Sequence, residues 1–87
     1  MIESPVVVVL VTFPSDADVS AFARRLVAER LVACASILSN VESVFWWNGD
    51  IEEARECQLI LKTNADRVDV LQARIEALHP YDTAEFL

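Results

Sequence analysis

The chain reads as an α+β domain in β-α-β-β-α-β order, an antiparallel sheet with two helices on one face and a long projecting β-hairpin. Three observations predict this. A β-branched run leads directly into a stripe of helical period, the same strand-to-helix pair recurs later, and two long apolar arms joined by Asn48-Gly49 lie between them.

Pro5 to Phe13 is nearly unbroken in apolar residues, the pattern of a strand buried on both faces, and Pro14-Ser15-Asp16 ends it. Ser15 or Asp16 can cap the helix that follows, with Asp18 in its positive first turn. Val19, Phe22, Ala23, Leu26 and Val27 then recur at helical spacing as a stripe toward the sheet, while Arg24, Arg25, Glu29 and Arg30 face water. From about Val32 to Trp47 apolar residues recur without helical period. Asn48-Gly49 suits a two-residue turn whose central positions both need positive φ. The return arm, from about Ile51 to Thr63, opens in the acidic Glu52, Glu53 and Glu56 and closes in Leu59-Ile60-Leu61. Arms this long exceed the usual five or six residues per strand, so the hairpin projects. Asn64 or Thr63 caps a second helix with the stripe Val68, Leu71, Ile75 and Leu78, stopped by Pro80, and Thr83 to Leu87 forms a last extended piece. Leu10-Val11-Thr12 before the first helix is echoed by Leu61-Lys62-Thr63 before the second, which supports the split βαβ, ferredoxin-like arrangement.

An 87-residue chain is one domain with little margin in its core. Its hydrophobic share of 54% exceeds what a lone small globule hides, and the sheet face opposite the helices has nothing in the sequence to cover it. Association with further copies is the physical remedy. With 14 acidic against 7 basic residues and a net charge of -7, the chain opposes approach to a phosphate backbone or an anionic membrane, so no nucleic-acid or membrane partner is expected. The start Met1-Ile2-Glu3 lacks a basic segment and the run Val6 to Val11 is too short to span a bilayer, which predicts a cytoplasmic protein with Cys34 and Cys57 as thiols. Gly49 is the only glycine, so loops that cradle phosphates on closely approaching backbone are excluded.

Several ordered stretches resemble the CutA divalent-ion tolerance family: Val11-Thr12-Phe13-Pro14-Ser15-Asp16; Leu31-Val32-Ala33-Cys34-Ala35-Ser36-Ile37; and Ser43-Val44-Phe45-Trp46-Trp47-Asn48-Gly49 leading to Ile60-Leu61-Lys62-Thr63. His79-Pro80-Tyr81 followed by Glu85 is similar to that family's HPY-x-x-PE motif, with Ala84 in place of its proline. The match runs in order from Val6 to Leu87, and residues 1–87 are read as a single domain of this type. Similar proteins continue past the position of Leu87 through more strand and a C-terminal helix, which this sequence is expected to lack.

The resemblance implies a ferredoxin-like homotrimer in which long hairpins and sheet edges of neighbouring subunits meet. It also implies association with copper or another divalent metal ion, weak or exchangeable, in a cytoplasmic, non-catalytic tolerance role. It places metal-associated residues at Cys34 and His79, to which Glu85 can add a hard oxygen. Read by itself, a cysteine between Ala33 and Ala35 in a strand is more often a small buried apolar residue, and His79 before Pro80 more often a helix-end hydrogen-bonding group. Tyr81 and Asp82, with Glu85, can line a cleft between subunits. Phe45, Trp46 and Trp47 near the hairpin tip are expected in trimer contacts, since aromatic residues are enriched in interface cores. No nucleophile, zinc-protease or paired-carboxylate motif supports an enzyme. Two alternatives remain. One is a signalling trimer resembling the PII proteins, which bind small ligands between subunits; the other is a purely structural trimer.

Overall fold

The computed structural model describes residues 5–78. Strand β1 (Val6–Pro14), helix α1 (Val19–Ala28), strands β2 (Cys34–Trp47) and β3 (Asp50–Asn64), a 3-10 turn (Ala65–Arg67) and helix α2 (Val68–Leu78) follow in order. The described strands form one antiparallel sheet in the order β1-β3-β2. This is the expected α+β architecture with both helices on one face. The last extended piece, Thr83 to Leu87, lies outside the described residues.

Side-chain alternation sets the two faces. Leu59 sits opposite both Val11 and Ile37, and Leu61 opposite Val9 and Ala35, so these residues share the helix side. There they meet Val19, Ala23 and Leu26 of α1 and Leu71 and Ile75 of α2 in one core. Phe13 closes its edge against Phe22, ring centroids 4.7 Å apart and nearly perpendicular. The expectation that β1 is buried on both faces fails: Val9, Val11 and Phe13 are buried, but Val6 and Val8 are 73% and 55% exposed. An apolar run records hydrophobicity, and the helices of a single chain can cover only one face.

Three local expectations are refined. Asp18, not Ser15 or Asp16, is the N-cap of α1, accepting a hydrogen bond from the Ala21 N–H at 3.1 Å, because Ala17 N–H closes a turn on the Pro14 carbonyl and delays the helix. Val27, next to Leu26, lies half exposed at the margin of the sheet-facing stripe. Asn64 makes no side-chain cap, and Thr63 is buried with its hydroxyl donating to the Leu31 carbonyl at 2.7 Å, so the chain reaches α2 through the 3-10 turn.

At its other end α1 closes with Arg30 in the left-handed region (φ 60), the Arg30 N–H donating to the Val27 carbonyl and the Leu31 N–H to that of Leu26. Leu26 and Leu31 are both buried, the apolar contact that accompanies this termination. Arg74 of α2 grips Glu29 with two hydrogen bonds of 2.8 and 2.9 Å, and Arg25 adds one of 3.2 Å. The Arg74 hydrogen bonds, with a smaller contribution from Arg25, hold the Glu29 carboxyl below its ordinary value, and Glu29 in turn raises Arg74.

Candidate functional site

The hairpin turn has φ 51 at Asn48 and φ 82 at Gly49, as the sequence requires, and β2 and β3 stay paired out to Trp47 and Asp50. The described chain is consequently elongated, 50 × 25 × 21 Å. A bulge interrupts the pairing: Leu38 faces Gln58, Val41 faces Glu56, and Ser39 and Asn40 share the gap opposite Cys57, with Asn40 at φ 65. The extra residue inverts the alternation. Before it Cys34, Ser36 and Leu38 point to the helix-free face; beyond it Phe45 and Trp47 continue that face, while Trp46, opposite Ile51, lies on the other.

These aromatics are exposed, Trp46 at 72%, Trp47 at 63% and Phe45 at 40%, with Val44 and Ile51 beside them at 60% and 62%. Side chains this large and apolar, grouped on a projection, mark an interaction surface. The helix-free face continues the apolar character through Val8, Leu10 and Ile60.

Cys34 opens β2 on that face, directly opposite Lys62, and is exposed; Cys57 is buried. The sequence-based reading of Cys34 as a small buried residue does not hold for the single chain. Leu71 and Ile75 of α2 pack on the opposite side of the sheet, and α2 ends at Leu78. His79, Tyr81, Asp82 and Glu85 lie outside the described residues. Among the described residues no group of three or more His, Cys, Asp or Glu side chains comes together to hold a metal. The donors described therefore amount to one soft, accessible thiol, which suits copper or zinc and needs further ligands from elsewhere. Among the described residues no helix is long and apolar enough to cross a membrane. Sequence reasoning missed a cleft beside Arg30 and Arg67, because the two are 37 residues apart and only folding brings them together.

The family model described as CutA1 divalent ion tolerance protein matches residues 7–87. The chain belongs to that family. A Citrobacter koseri CutA divalent-cation tolerance protein is 40% identical over 81 residues, 93% of this chain and 70% of the relative. Among solved CutA structures, the Oryza sativa CutA1 superposes with a TM-score of 0.90 at 35% identity, covering 98% of this chain and 78% of that one. An Archaeoglobus fulgidus structure described as a periplasmic divalent cation tolerance protein gives 0.86 at 31% identity, over 95% and 80% of the two chains. A Nostoc CutA described as PII-like gives 0.81 at 32%, over 92% and 75%. Similarity across nearly all of this chain confirms the resemblance read from its motifs and the CutA-type fold.

Proposed function

We propose that the protein is a homotrimeric divalent-metal tolerance protein that binds copper weakly and exchangeably, in the cytoplasm and without catalysing a reaction. Its membership of the CutA family supports the metal role, and the single observation that carries the site is the exposed Cys34 thiol on the uncovered sheet face. His79 and Glu85 complete the donor set in this reading. Leu71 and Ile75 of α2 pack on the opposite side of the sheet from Cys34, and in this reading the second donor comes from a neighbouring subunit. Tyr81 and Asp82 then line the inter-subunit cleft, and Phe45, Trp46 and Trp47 lie in trimer contacts. The five exposed apolar side chains at the hairpin tip, Val44, Phe45, Trp46, Trp47 and Ile51, support assembly, since covering apolar surface is favourable by roughly 25 cal/mol per Å2 removed from water.

The test is an anaerobic copper titration of the reduced protein beside its Cys34→Ser and His79→Ala variants, at matched oligomeric mass. Tenfold weaker binding in either variant, about 1.4 kcal/mol, is the expected result. Equal affinity in all three would remove both residues as ligands.

The PII-like description of the Nostoc relative favours a second reading, a small ligand bound between subunits. The tight Asn48-Gly49 connection argues against it, since a signalling loop of that kind needs length and flexibility.

A further inference from the structure

At the end of the sheet away from the hairpin tip, the C-terminus of α1 and the passage from β3 into α2 enclose an open cleft of about 420 Å3, with Arg30, Arg67, Thr63, Asn64, Val27 and Val32 in its lining. That volume falls in the range of small-ligand sites.

Two arginines line the cleft in a chain whose net charge is -7. Arg67 is held in place, its Nη1 donating to the Arg30 carbonyl at 2.7 Å, which occupies one of the five donors of its fork. Glu29, next to Arg30 in sequence, is already committed to Arg74 and Arg25. Among the described residues the ion pairs engage Arg25, Arg55 and Arg74, and neither Arg30 nor Arg67. The Asn64 carboxamide makes no capping bond and adds a neutral donor.

Arg30 is also in the wrong place for stability. It occupies the left-handed position after α1 (φ 60) where glycine is usual because it has no Cβ to strain the backbone. A side chain kept where glycine folds better, with its carbonyl tied to a second arginine, points to a use for the guanidinium.

We propose that this cleft binds a small oxyanion, the phosphate or carboxylate group of a metabolite, gripped by Arg30 and Arg67 with Asn64 as a further donor. Planar guanidinium forks match the paired oxygens of both groups. The cleft lies on the helix side, with Thr63, whereas Cys34 is on the opposite face, so the site does not depend on the metal reading.

The deciding experiment is calorimetric titration of the full chain at low ionic strength with inorganic phosphate and, separately, with succinate. Wild type, Arg30→Gly, Arg67→Gln and the exposed control Arg24→Gln are compared. Saturable binding of one anion per chain is expected, unchanged in Arg24→Gln and at least tenfold weaker in Arg30→Gly and Arg67→Gln. Saturation by phosphate alone identifies a phosphoryl ligand, and by succinate alone a carboxylate. Arg30→Gly guards against misfolding, because relief of the left-handed strain should raise its Tm while its affinity falls. Absence of saturable binding by either anion, or equal affinity of wild type and Arg30→Gly, overturns the proposal.

Discussion

Strand β3 is two environments in one element. From Cys57 to Thr63 every second residue is buried, with Leu59 and Leu61 fully inaccessible beneath the helices; from Asp50 to Glu53 all residues are exposed, Ile51 at 62%. Both parts are paired with β2, one on either side of the bulge opposite Cys57, so the presence of a hydrogen-bonded partner strand does not separate them. What differs is whether an element packs behind the sheet. The helix-backed half draws its stability from this chain, while the projecting half carries apolar surface that only another molecule can cover.

The largest expected effect lies in the helix-backed half. Leu59→Ala leaves a cavity between both neighbouring strands and the helices, and chemical denaturation should show a loss of about 2–5 kcal/mol. The double change Trp46→Ser, Trp47→Ser should leave far-UV circular dichroism unchanged yet lower the mass found by sedimentation at micromolar concentration. Collapse of the fold instead would show that the hairpin supports the core, and the division of β3 would be wrong. The smallest effect concerns the Glu29–Arg74 clasp. Glu29 has a depressed carboxyl in the folded state, so its contribution is present above its unfolded value and fades as pH falls through the folded one. Denaturation midpoints measured from neutral pH down through the carboxylate range should fall less steeply for Glu29→Gln than for wild type. Parallel slopes would mean that this exposed pair contributes nothing measurable.

Most of the described fold was legible because local chemistry carries it. The stripe Val19, Ala23 and Leu26, the Asn48-Gly49 turn and the run Leu59 to Leu61 each follow from a period or a backbone preference contained within a few residues. The candidate site was less legible. Cys34 could be placed on a strand, but its exposure depends on which face the helices cover, and a run of valines cannot show that β1 is covered on one side only.

The sequence by itself determined the order of the described elements, the hairpin and the family, since these rest on short-range spacing and on motifs in order. Tertiary structure decided which side of the sheet each residue serves. One extra residue at Ser39-Asn40 reverses the alternation, sending Trp47 to the face of Cys34 and Trp46 to the other, because side chains in a strand repeat every two residues. It also joined Arg30 to Arg67, a contact that no local pattern encodes because it exists only once α1 and the turn into α2 pack at the same end of the sheet.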